Sequence, residues 1–179
     1  MTDHKLASPW NMMFMTNVTK ELLQAHSNDY PKAQAAALKE VGVVDTIEQV
    51  CSTFNSIPRV SLLNHGDSYL LVRQGRKPSF ENYPGGSRFL IDTKTDEETK
   101  EVINVLLMAI VGENVVKGSG AISPCHVVRM THKVSQAAAN GVRFEVWMDK
   151  EEVEGQYVQM QLYFQNLLKG KAIELKPLV

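Results

Sequence analysis

The side chains best suited to chemistry in this 179-residue chain lie in "KPSFENYPGGSRFLI", residues 77–91. A large ring, Phe80, is followed directly by a carboxylate, Glu81. The second half, "SRFLI", reads as a strand, and Gly85-Gly86 as the turn feeding it. Loops run over the surface, where a phenyl ring gains nothing from burial. A ring beside an acid in such a loop suits a ligand that is flat, cationic and rich in hydrogen-bond donors. Two other segments supply matching groups. In "VRFEVWM" (142–148) alternation sends Val142, Phe144, Val146 and Met148 to one face, and Arg143, Glu145 and Trp147 to the other. Two readings of Trp147 stand: a ring capped by a neighbouring loop, or an aromatic surface inside a charged pocket. In "HVVRMT" (126–131) Arg129 shares a face with Val127 and Thr131, opposite Val128 and Met130. Arginines on neighbouring strands can then converge on one anion.

These groups need a sheet to bring them together. Strand-like runs occur at 10–15, 68–73, 87–92, 126–131, 142–148 and 171–176, with a further candidate at 38–44. "NG" at 140–141 marks a hairpin. Three amphipathic helices interrupt the strands. The first follows Asp45, which has capping-box spacing to Glu48, and puts Ile47, Val50, Phe54 and Ile57 on one face before Pro58. The second opens on Thr95 with Glu98 and stops at Gly112. The third opens on Asp149 with Glu152, contains Gly155 and stops at Gly170. Runs of strands mixed with long helices imply an α+β fold, a mostly antiparallel sheet with three helices packed on one face. The opposite face is then free to bind a ligand.

Composition narrows the field. A 44% apolar fraction and this length fit a single globular domain spanning 1–179, its N-terminal residues 1–9 flexible or partner-binding. With 19 basic and 20 acidic residues the net charge is −1, so any nucleic-acid contact must be local. Cys51 and Cys125 cannot build a zinc site or a disulfide framework alone. "MTDHKLASPW" lacks a signal-peptide pattern and the longest apolar run, 105–111, is too short to span a bilayer, so a cytoplasmic or also nuclear protein is expected. A thiol-hydrolase reading of Cys125-His126 fails because adjacent strand residues point to opposite faces. "KGSGAIS" (117–123) resembles a phosphate loop only in glycine content. No catalytic residue, metal or cofactor is expected.

The order of these features resembles the cap-binding translation initiation factor 4E family. "KPSFENYPGGSRFLIDTKTDEETKEVINVLLMAIVGE" is followed by "GAISPCHVVR" and "VRFEVW", while "HKLASPWNMMF" and "DTIEQVCSTFNSI" are similar to the family's opening and first helix. The resemblance covers most of the chain and implies a curved sheet. Its concave face would hold the 7-methylguanosine cap of messenger RNA, and its convex helical face a translation-initiation scaffold protein or a repressor peptide. Phe80 then takes the place of one stacking tryptophan, and Glu81 that of the guanine-reading carboxylate. Arg129 and Arg143 match the phosphate-binding residues, and Trp147 the ring touching the N7-methyl. N7-methylation makes the guanine cationic, worth roughly 0.5–2 kcal/mol per aromatic face. Its N1–H and N2–H2 offer one carboxylate two parallel donors.

Several positions depart from the pattern. The loop between the first two strands, "TNVTKELLQAHSNDYPKAQAAAL", contains no tryptophan; Tyr30 is the candidate for the second stacking ring, or else a turn residue before Pro31. Phe and Tyr are weaker cation–π partners than Trp, so modest cap affinity is expected. Lys133 either supplies a further phosphate contact or is solvated. On the partner face, Cys51, Asn104 and Val105 replace the family's docking residues and Lys5 its proline. Lys5, Ile47, Cys51 and Asn104 are the partner-binding candidates, with helix-face core as the other reading for Ile47. A cap-binding repressor, and an interaction domain that has lost cap binding, stay open. The pattern looks like a divergent paralogue of kinetoplastid type, lacking the mobile loop of longer members.

Overall fold

The computed structural model describes residues 2–115 and 124–179; the "KGSGAIS" segment lies outside them. Each strand-like run forms a strand: β1 (Lys5–Met15), β2 (Leu38–Thr46), β3 (Ser68–Arg73), β4 (Ser87–Thr93), β5 (Cys125–His132), β6 (Val142–Met148) and β7 (Ile173–Pro177). They make one curved seven-stranded sheet in the order β2-β1-β3-β5-β6-β4-β7. Every neighbouring pair is antiparallel. Between the strands lie the short helices α1 (Lys20–Ala25) and α2 (Tyr30–Ala37), then the longer α3 (Ile47–Ser56), α4 (Asp96–Leu106) and α5 (Gln156–Leu167). The fold is the expected α+β arrangement.

Alternation along the strands builds two apolar layers. Trp10, Leu71, Phe89, Val128, Phe144 and Val146 face Val50 of α3, Val102 and Leu106 of α4, and Met160 and Phe164 of α5. The intervening residues Met13, Met15, Leu70, Val72, Val127 and Trp147 form a second, smaller cluster on the other face. The three long helices therefore share the convex side.

The concave side is not wholly open, contrary to the expectation from sequence. The segment expected as a loop folds into α1 and α2, and Leu22 and Ala37 from these helices pack into the second cluster. The local chemistry explains them. Thr19 Oγ1 accepts from the Leu22 N–H at 3.2 Å, and Asp29 Oδ1 from the Lys32 N–H at 3.2 Å. Ser27 and Asn28, at φ 58° and 59°, turn the chain between them. The run "AQAAA" supplies high helix propensity.

Two helix starts also differ from the spacing argument. β2 continues through Thr46, so the α3 cap falls one residue later: Thr46 Oγ1 accepts from Gln49 N–H (3.2 Å) and Gln49 Oε1 from Asp45 N–H (2.8 Å). Glu48 instead binds the His4 backbone N–H at 3.0 Å. Ile47, the first residue of α3, is 48% exposed and not part of the core face. At α5, Asp149 is taken by Arg76 and His126, and Gly155 (φ 84°) is the N-cap rather than an interior residue. Glu151 Oε1 caps from outside, accepting from the Tyr157 N–H at 2.7 Å. The α4 start follows the sequence: Thr95 Oγ1 accepts from Glu98 N–H at 3.2 Å and Glu98 Oε2 from Lys94 N–H at 3.0 Å. Among the described residues no helix is long and apolar enough to cross a membrane.

Gly86 fixes the entry into β4. A Cβ there would overlap the Met148 carbonyl oxygen, a backbone atom that cannot swing aside. Its carbonyl also accepts from the Leu178 N–H at 3.0 Å. Gly86→Ala is expected to lower stability by about 1–3 kcal/mol in urea unfolding, as overpacking against rigid neighbours does.

Candidate functional site

The loop after β3 is pinned at both ends. Arg76 Nη1 and Nη2 donate to Asp149 Oδ1 and Oδ2 at 3.0 and 2.7 Å, a bidentate pair. His126 Nε2 lies 2.7 Å from Asp149 Oδ2. Burial holds the His126 pKa below its ordinary value, against the pull of Asp149, so the neutral ring donates to this carboxylate. His126 sits at an irregularity where Cys125 pairs with Met148 and Val127 with Trp147. Cys125 thus lies in the main core while His126 faces Tyr83. They do not form a nucleophile–base pair. The Tyr83 hydroxyl donates to the Lys77 carbonyl at 3.0 Å, and burial pushes its pKa up to about 12.

Between these anchors a single 3₁₀ turn, Phe80–Asn82, presents the ring and the acid. Phe80 packs edge-on against Trp147, ring centroids 4.7 Å apart, and Tyr83 supports Trp147 from another side at 6.0 Å. Trp147 is completely buried, and its Nε1 has no hydrogen-bond partner among the described residues. Glu81 is exposed, and its carboxylate makes no hydrogen bond or ion pair among the described residues. An unpartnered acid beside a half-buried ring is an open acceptor for a donor-rich flat ligand.

The arginines line the floor beyond the rings. Arg129 is opposite Glu145 and Arg143 opposite Thr131, so the two arginines are diagonal neighbours on one face. Arg129 Nε donates to Ser68 Oγ at 3.0 Å and lies 3.7 Å from Glu145 Oε2. Arg143 grips Asp92 with two 2.7 Å hydrogen bonds, which hold the Asp92 carboxyl below its usual range. Lys133 is exposed.

Three residues of this face were not singled out as site residues from sequence. Arg76 and Tyr83 anchor the loop. Arg88 donates to Glu145, and its guanidinium lies 5.0 Å above the Phe80 ring. Alternation in "SRFLID" held the signal for Arg88, which faces Trp147 across the β4–β6 ladder. The Arg76 contact to Asp149 crosses 73 positions of chain and leaves no local trace.

Tyr30 stands apart from this cluster. It is the first residue of α2, 53% exposed, and makes no ring contact among the described residues. Gln34, one turn further along α2, donates to the Pro78 carbonyl at 3.3 Å, so the helix rests on the Phe80 loop.

On the convex side Cys51 and Asn104 are exposed, as is Lys5, whose ammonium is 4.0 Å from Asp45. A groove of about 600 Å³ runs between α3 and α4, lined by Phe54, Ile57, Pro58, Ile103 and Asn104 among others. Of the four partner-face candidates only Asn104 lines it.

The family model described as eukaryotic initiation factor 4E matches residues 5–176. The eukaryotic translation initiation factor 4E-3 of Caenorhabditis elegans is 32% identical over 121 residues, a match spanning 63% of this chain and 44% of that relative's length. Among solved structures, a complex of C. elegans eIF4E-3 with the 4E-binding protein Mextli and cap analog superposes with TM-score 0.75 at 23% identity, covering 98% of this chain and 93% of that one. Ascaris suum eIF4E-3 with an m2,2,7G cap gives TM-score 0.72 at 22% identity (97% and 91% covered). A schistosome eIF4E complexed with m7GpppA and 4E-BP gives 0.75 at 18% identity (99% and 89% covered). These relatives lend no support to a kinetoplastid type.

Proposed function

Because the chain belongs to the eukaryotic initiation factor 4E family, we propose that it binds the 7-methylguanosine 5′ cap of messenger RNA and recruits that RNA to translation initiation. The observation that carries this reading is the assembly, on one sheet face, of Phe80 on Trp147, the Glu81 carboxylate, which is unpartnered among the described residues, and a floor of arginines. The guanine edge donates to Glu81. The cationic ring stacks on an aromatic side chain, Phe80 on one side and Tyr30 from α2 on the other, and the N7-methyl meets Trp147. Arg129 and Arg143 supply the cationic contacts to the phosphate oxygens. The protein acts by binding, as one cap-binding domain in the cytoplasm and also the nucleus, and no side chain is assigned a catalytic step. Its convex face, with Lys5, Ile47, Cys51 and Asn104, receives a scaffold protein or a repressor peptide; relatives solved with Mextli and 4E-BP support that assignment.

One observation favours a second reading, an interaction domain that no longer binds caps: Trp147 is fully covered and the arginines are already paired. Titration of tryptophan fluorescence with m7GTP and with GTP separates the two. Trp10 lies on the other sheet face beneath Arg73 (4.5 Å), so a ligand-dependent signal reports Trp147. Quenching by m7GTP at concentrations where GTP is silent is the expected result. Silence with both, repeated by calorimetry, leaves the interaction domain.

A further inference from the structure

Glu145 is a buried acid at the centre of a face that is proposed to receive a polyanion. Its side chain is 6% exposed. One carboxylate oxygen, Oε1, accepts from Arg88 Nη1, and the other, Oε2, lies 3.7 Å from Arg129 Nε. The ladders place it directly across from Arg129 on β5 and Leu90 on β4, with Arg88 one diagonal away beside Trp147. A carboxylate this deep is tolerated only against cationic partners. The pair of arginines therefore already holds one anion, supplied by the protein.

We propose that Glu145 is a specificity-determining residue: it occupies the anion position between Arg88 and Arg129, so that recognition rests on the base and little on the length of the phosphate chain. The inference rests on the cap-binding reading above. An incoming phosphate must displace a carboxylate tethered at high effective concentration. The floor is also nearly neutral, because Glu145 and Asp92 offset two of the three arginines Arg88, Arg129 and Arg143. Few counterions are then released on binding, and salt dependence is shallow. Arg129 bonds Ser68 through Nε, and its Nη1 and Nη2 have no hydrogen-bond partner among the described residues, so they remain for a single phosphate.

The test is a fluorescence titration of the full chain with m7GMP, m7GDP and m7GTP, for the native protein and for Glu145→Gln, at low and high salt. The ratio of m7GTP to m7GMP affinity is the readout, because a purely structural role for Glu145 moves both affinities together. Glu145→Gln is expected to raise that ratio about tenfold or more and to steepen the salt dependence. A ratio that is unmoved, or that falls, overturns the proposal. Should the variant not fold, the native series decides: a ratio below about tenfold supports the proposal and a larger one overturns it. Failure of all three nucleotides to bind the native protein overturns the cap-binding reading and this one together, whereas binding with an unmoved ratio overturns this one alone.

Discussion

Glu81→Ala should lower affinity for m7GTP by on the order of 100-fold while leaving the folded protein intact. A carboxylate taking two guanine N–H donors makes two charge-assisted hydrogen bonds, and losing both costs about 3 kcal/mol. The structure concentrates this loss on one residue, because Glu81 is exposed and has no partner among the described residues through which it would hold the loop. The loop is held elsewhere, by Arg76 on Asp149 and by Tyr83 on Lys77. Thermal melts of the variant should therefore overlay those of the native protein. A drop in affinity smaller than about fivefold, under one kcal/mol, would remove Glu81 from the role of guanine reader.

Trp147→Ala carries the largest expected stability effect, a loss of about 3–5 kcal/mol in urea unfolding. Trp147 is completely buried, wedged between Phe80 and Tyr83 with Val127, Leu70 and Leu178 in the same cluster. Truncation leaves a cavity that β-strand backbones on both sides cannot collapse into. Trp147→Phe keeps a ring under Phe80 and should recover more than half of that stability. It removes the indole Nε1–H, which is buried without a hydrogen-bond partner among the described residues, so little hydrogen-bond energy is lost with it. If Trp147→Ala unfolds at the native midpoint, the second cluster contributes nothing to stability and its rings serve the ligand alone.

How much of this was legible in the sequence differs between backbone and site. Strand-like runs located the seven strands, the one at 38–44 only as a candidate, and alternation gave the facing of β5 and β6, whose core-side residues Val128, Met130, Phe144 and Val146 pack in the main cluster. The α4 cap was legible because Thr95 and Glu98 make their capping bonds at the expected spacing even though Glu98 Oε2 also pairs with Lys171, whereas at α5 the same spacing misled because Asp149 is claimed by Arg76. The helices α1 and α2 were hidden: one is short, and the alanines of the other have no amphipathic period to read. For the site, the facing of Arg129, Arg143, Glu145 and Trp147 followed from alternation and holds in the sheet. Their pairing did not, because whether an arginine meets Asp92, Glu145 or solvent depends on strand order, which no local pattern encodes.

The strand order has a consequence for the time at which this surface comes into being. Phe80 and Glu81 are synthesised well before β5, β6 and β7, yet the floor beneath them needs β5 and β6, and the far edge is closed by β7 on β4. The last tie is the Leu178 N–H to the Gly86 carbonyl, next to the loop that bears the ring and the acid. A nascent chain still held on the ribosome short of residue 178 leaves that tie unmade, with Trp147 missing one of its buried neighbours. Non-local pairings of this kind form late in folding. The loop that bears the ring and the acid thus gains its full set of ties only once residue 178 is free to pair with Gly86.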